Sequence, residues 1–434
     1  MPMSPRFLSI LTVILVAATG LAQEPQAAAP TAPFAYVRGT ALHILPQTTS
    51  EESGYFSLCQ GLGGTVYVGT AMYNENAYLV AVDPATAAQR IAVDVNAAAG
   101  LTATGYAAQA KIHTRNHVAA SGRVYMGSKQ GYRRDGDTSE YPGGYVLVYD
   151  PATGRTENLG MPLAPFGVID VVADPTEQRL YVVTCETEHW LVADLSARPV
   201  SYRRIPAPEL IDYASTLVDG RGRAAAITDD LQLAQYDPAT GDVTVRPIHV
   251  DGQPLAPLRG EHSSNADIPT WRLAADGRTA YLIRMNEPTL FAIDLYSDGP
   301  AVTARSFGPM IAGKGPDSRA ALTIAPDGRV YTLVRVQNDT GFGRGMLHHL
   351  LRFDPATERH TDLGVLAVRN PDFFDFTATG PDGKRRPWTH GYHTLPDGTL
   401  TPLHAHMGLL AAADGSLYAT ILYPYTLLHI PRPD

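Results

Sequence analysis

Gly122-Arg123-Val124-Tyr125, followed by Val146-Leu147-Val148-Tyr149-Asp150-Pro151-Ala152-Thr153-Gly154, is a phrase that this 434-residue chain repeats. Its first half recurs as Gly64-Thr65-Val66-Tyr67, Gln178-Arg179-Leu180-Tyr181 and Gly222-Arg223-Ala224-Ala225. It recurs again as Gly277-Arg278-Thr279-Ala280-Tyr281, Gly328-Arg329-Val330-Tyr331 and Gly415-Ser416-Leu417-Tyr418, which makes seven copies. Its second half returns as Val82-Asp83-Pro84-Ala85-Thr86, Tyr236-Asp237-Pro238-Ala239-Thr240 and Phe353-Asp354-Pro355-Ala356-Thr357. Ala193-Asp194-Leu195 and Ile293-Asp294-Leu295 are weaker copies. Short runs of Val, Tyr, Ile and Leu bounded by Gly, Asp and Pro read as strands and turns. In Asp-Pro-Ala-Thr-Gly the proline fixes φ early in the turn and the glycine takes the left-handed position.

Four short strands repeating every ~40–60 residues are the signature of a propeller blade. The expected fold is therefore all-β: a seven-bladed β-propeller over residues 34–434. The blades should start near Gly54, Ala108, Phe166, Ile211, Ile268, Ser318 and His404. Phe34 to Leu45 belongs to no copy, and blade seven ends at Leu427-Leu428-His429-Ile430 with no strand after it. The N-terminal strand is expected to close blade seven from outside. Two insertions stand out, Lys129 to Gly144 within blade two and about Asn370 to Leu403 before blade seven.

The chain's ends and composition bound the surroundings. Arg6, the apolar run Phe7 to Ala18 and Gly20-Leu21-Ala22 read as a signal peptide over 1–22. Residues 23–33 read as an Ala/Pro-rich linker. The expected location is secreted or periplasmic, with no membrane span in the mature chain, because the apolar run is shorter than the ~20 residues a span needs. The formal charge is −9, and near −10 once Arg6 is removed, which argues against a nucleic-acid partner. Cys59 and Cys185 fall in blades one and three, so two buried thiols are expected rather than a bridge.

In a propeller the first strand of each blade lines the axis. Its start and the end of the second strand emerge on one face. Counting twelve residues back from the second-strand aromatic gives Tyr55, His113, Tyr213 (from Ala225), Arg319 and His406. Blade three gives Gly167 and blade five Ile268 or Pro269. Such polar groups need partners when buried, and a wet channel is the plainer alternative to a site. Lys129, Gln130, Tyr132, Arg133 and Arg134 follow on the same face, and Lys111 and Arg115 flank His113. Lys384, Arg385, Arg386, Trp388, His390, Tyr392, His393 and His404 lie in the second insertion. Aromatics interleaved with cations suit an acidic sugar, since rings stack on pyranose faces and arginine grips carboxylate or sulfate. A zinc ion on His406 with His390 or His393 is a further expectation. His404 cannot easily join it, because residues i and i+2 of a strand face opposite ways. His348-His349 reads as a surface turn or a third-strand start.

The stretches Lys111-Ile112-His113, Val124-Tyr125-Met126-Gly127-Ser128 and Tyr141-Pro142-Gly143-Gly144 resemble seven-bladed propeller polysaccharide lyases of the ulvan-lyase type. The resemblance implies cleavage beside a uronic acid in an anionic polysaccharide by β-elimination, with His and Tyr moving protons and Arg neutralising the uronate. It puts His113 at the family's axial histidine and Gln130 where a second histidine belongs. On that expectation His113, Tyr213, Arg319 and His406 are catalytic, no cofactor is required, and Tyr55, Lys129, Tyr132, Arg133 and Arg134 bind substrate. The alternative is a non-catalytic carbohydrate-binding or envelope-interaction propeller.

Overall fold

The computed structural model describes residues 30–51, 53–258, 268–319, 321–379, 383–384 and 389–433, apart from the side chains of 53, 54, 406 and 407. The expected signal peptide and most of the expected linker lie outside the described residues.

Among the described residues, seven four-stranded antiparallel units follow one another along the chain. Their inner strands are Ser53–Gln60, Lys111–Ile112 continued by His117–Val118, Gly167–Ala173, Leu217–Val218, Pro269–Leu273, Leu322–Ile324 and Ala405–Ala411. Each falls close to the start expected from the repeat. In blade seven the outermost strand is the N-terminal one. Tyr36–His43 pairs antiparallel with Thr426–Ile430, in the register Thr40↔His429 to His43↔Thr426. The ring is thus closed by joining the two ends of the fold. The first half of the same strand, Tyr36 to Gly39, also pairs in parallel with Val365 to Val368 of blade six. A second parallel seam joins Ile248–Val250 of blade four to Val302–Ala304 of blade five. The repeat gives no hint of these seams. The second arises because the eight-residue outer strand Val243–Val250 outruns its five-residue partner Gln232–Tyr236 and meets the neighbouring blade, and the first because Tyr36–His43 likewise outruns Thr426–Ile430.

The recurring residues do recurring work. Tyr67, Tyr125, Tyr181, Tyr281, Tyr331 and Tyr418 are all buried. The apolar core is divided into clusters that straddle neighbouring blades, such as Cys59, Leu79, Ile112 and Met126 between blades one and two. Tyr125, Val148, Val168 and Val182 do the same between blades two and three. Both cysteines are free and buried in such clusters. In the Asp-Pro-Ala-Thr turns the aspartate Oδ1 accepts the N–H two residues on: Asp83 from Ala85, Asp150 from Ala152, Asp237 from Ala239 and Asp354 from Ala356, at 2.8–2.9 Å. The left-handed position is glycine at Gly154 and Gly241 but Ala87 and Glu358 in the other two copies.

Candidate functional site at the channel mouth

Pairing of the first two strands fixes which ends share a face. Lys111 lies opposite Lys129, Gly167 opposite Cys185, Pro269 opposite Arg284, and Asp317 is bridged to Arg335. The positions counted back from the aromatic therefore sit beside the ends of the second strands. Tyr55, Tyr213 and Arg319 share an unusual backbone there: all three have left-handed φ, at 58°, 56° and 46°. A side chain other than glycine rarely adopts this region and pays for it, and such residues gather at functional sites.

Three rings of the predicted set converge. The His113 imidazole lies 4.4 Å from the Tyr55 ring and 5.6 Å from the Tyr213 ring, edge to face in both cases. His113 is 2 % exposed, whereas Tyr55 and Tyr213 are half-buried. Burial raises the phenol of Tyr213, and Lys129 pulls it down only in part. Burial likewise raises Tyr55, helped by Tyr132. Both phenols are protonated at neutral pH.

Lys111 supplies a cation beside Tyr55. Its ammonium lies 4.3 Å from the Tyr132 ring centre, 4.6 Å from Tyr73 and 5.6 Å from Tyr55, a cage that holds a charge by cation–π attraction. Tyr132 is 60 % exposed and forms the outer wall. Lys129 is paired with Glu186 at 2.8 Å. Arg319 lies 3.6 Å from Asp317, which also binds Arg335 at 2.9 Å, so two guanidinium groups share one carboxylate. The pair leaves a net positive charge near His404, whose pKa falls to about 4 through burial, His390 and these arginines.

The other predicted residues are dispersed. Arg133 folds back into its own loop, donating to the carbonyls of Asp137 and Ser139 and lying 4.0 Å from the Tyr106 ring centre. Arg134 is exposed beside it. His390 stacks on Tyr423 at 4.5 Å with His404 at 5.7 Å, while His393 sits in the hairpin Tyr392–Thr394 with Leu400–Pro402. Among the described residues no three metal-ligating side chains gather, and the His406 side chain lies outside them. Arg385, Arg386 and Trp388 also lie outside the described residues. His348 belongs to the third strand of blade six, where it is buried and its Nδ1 lies 3.1 Å from the Pro402 carbonyl oxygen.

Glu186, Glu188, Tyr73, Arg335 and Tyr423 are neighbours the sequence reading passed over. Glu188 is buried, and burial together with Asp212 pushes its carboxyl up to about 8. All five sit at or just beyond second-strand ends. Applying the second-strand rule to every blade, rather than to blade two alone, finds them.

No protein-family model and no curated protein sequence matches this chain. Solved structures resemble it in fold. The extracellular domain of BT4673 from B. thetaiotaomicron matches 91 % of this chain with a TM-score of 0.52 at 12 % identity, and the chain spans 40 % of that protein's length. The β-propeller domain of Myceliophteria thermophila Cps50 (Swd1) matches 90 % of this chain and 99 % of its own, with a TM-score of 0.49 at 12 % identity. At such identities the likeness concerns the fold alone. Among the described residues no helix is long and apolar enough to cross a membrane.

Proposed function

We propose that the channel mouth binds a uronate-bearing anionic polysaccharide and cleaves it by β-elimination, in a protein exported to the periplasm or the exterior. The observation that carries this reading is the convergence of His113 on Tyr55 and Tyr213, with the Lys111 ammonium beside the Tyr55 ring and Arg319 close enough to Tyr55 to interact with it electrostatically. In this reading Arg319 and Lys111 take the uronate carboxylate and stabilise the enolate-like charge that builds when C5 loses its proton. A ring nitrogen of His113 receives that proton. Its low exposure means that the sugar reaches it where the Tyr55 ring gives way. Tyr213, kept protonated by burial, gives its proton to the leaving oxygen, and Tyr132 offers an exposed ring to a flanking pyranose.

The test is incubation with a panel of uronate polysaccharides, following the absorbance of the unsaturated uronate product. His113→Ala is expected to lower turnover by about 10²–10⁴-fold while leaving oligosaccharide binding nearly intact, because proton transfer is felt in the transition state. Arg319→Ala is expected to damage both binding and turnover. Near-wild-type turnover in His113→Ala removes it as the base. Binding without product from any polymer leaves a non-catalytic carbohydrate-binding propeller instead.

A further inference from the structure

Beneath the rings of the mouth stands Phe56. The Phe56 ring touches His113 and Tyr213 above, each at 5.8 Å, and the Arg115 guanidinium below, at 3.8 Å. Under this ring lies a cavity of about 300 Å³ that runs along the inner strands toward the opposite face. Arg115, Asn116, Asp170, Thr216 and Arg272 line it. Arg115 is only 8 % exposed, and one nitrogen, Nη1, donates to the Tyr213 carbonyl at 3.0 Å. Its Nε and Nη2, and the Nδ2 of Asn116, are buried with no hydrogen-bond acceptor among the described residues. Asp170 does not supply one: its Oδ2 accepts the N–H of Thr216 at 2.8 Å. Arg272 spends Nη1 on the Trp271 carbonyl at 2.9 Å.

Three features of this set define a ligand. The unmatched groups are all donors, so the ligand must present acceptors. Nε and Nη2 are the two donors on one edge of a guanidinium, spaced for the two oxygens of a planar carboxylate. Two arginines against one aspartate leave one positive charge to be met. An unpaired buried guanidinium is costly, and a partner that binds it removes that cost. We propose that the axial cavity below Phe56 is a binding site for the carboxylate of a small organic monoacid, held bidentately on the Nε–Nη2 edge of Arg115 with Arg272 beside it. The Phe56 ring lies between this site and the rings of His113 and Tyr213 at the mouth.

The test is titration of the full chain with sodium acetate and sodium propionate at constant ionic strength, by isothermal calorimetry and by ligand-observed NMR, with inorganic phosphate and sulfate in parallel. Saturable one-site binding of the carboxylates is expected. Arg115→Met is expected to weaken it at least about tenfold, the scale of a charge-assisted hydrogen bond, while the circular dichroism spectrum stays that of the wild type. Arg305→Met, an exposed surface arginine paired with Glu358, should leave carboxylate binding unchanged. No saturable carboxylate binding to the wild type, or equal binding to Arg115→Met, overturns the proposal. Binding of phosphate or sulfate in preference to both carboxylates overturns the assignment of the ligand.

Discussion

Gly127 lies where the second strand of blade two passes under blade three. A Cβ built on it would stand 2.3 Å and 2.6 Å from Val168 side-chain carbons and 2.8 Å from Cγ2 of Thr114. All three neighbours are packed carbons of the buried residues Val168 and Thr114, so the overlap cannot be relieved by swinging a flexible tip aside. Overpacking of this kind costs about 1–3 kcal/mol. Replacing glycine by alanine returns about 0.4–1 kcal/mol by restricting the unfolded chain. The net expectation for Gly127→Ala is a loss of about 1–2 kcal/mol. Unfolding entropy near 60 °C is about 2.1 cal/mol/K per residue, or roughly 0.8 kcal/mol/K over the ~400 residues of the propeller, so the melting temperature should fall by about 1–2.5 °C. Gly63→Ala is the control: nothing lies within 4 Å of its Cβ, and it should melt at or slightly above the wild type. Differential scanning calorimetry of the two variants under one buffer decides the matter. Equal melting temperatures would refute the close approach of blades two and three. Thr114 adjoins His113, so Gly127→Ala should also lower any activity of the mouth more than Gly63→Ala does.

Burial pushes the Asp170 carboxyl up to about 6 against the attraction of Arg115 and Arg272, so its contribution to stability is complete below pH ~4 and lost as pH rises through about 6, roughly 3 kcal/mol in all. Melting curves of Asp170→Asn between pH 4 and 7 should lack that decline, and an unchanged pH slope counts against it. His348 works in the opposite sense: burial draws it down to about 3, so its contribution is complete above pH ~6.5 and is lost as pH falls, and His348→Gln should flatten the acid limb of the stability profile. Cys59 and Cys185, both buried with thiols raised by burial, should resist a thiol reagent in the native protein and react, two per chain, in denaturant. Lys111→Met should weaken oligosaccharide binding while sparing the fold, as read by calorimetry against a neutral-sugar control. If a zinc ion binds, His406 with His390 or His393 holds it, and metal analysis of protein purified without added zinc tests this: bound metal should be lost in His406→Ala, and well below one equivalent in the wild type removes the idea.

The repeat carried the architecture because its physics is local. Asp-Pro-Ala-Thr makes its turn through the aspartate oxygen and the next-but-one N–H, both within five residues, and the second-strand tyrosine is buried wherever a blade meets its neighbour. Seven copies and one unclaimed N-terminal strand then leave only one way to close the ring. The same register placed Tyr55, His113 and Tyr213 together, since each blade presents equivalent positions at equivalent heights. Contacts between non-equivalent positions were decided by tertiary structure alone. Arg133 turned into its own loop because the carbonyls of Asp137 and Ser139 lie within reach of its side chain. Lys129 found Glu186, an acid from the next blade. The Phe56 ring lies between His113 above and Arg115 below, and a count along the chain gives a residue's height on the axis but not which way its ring will point.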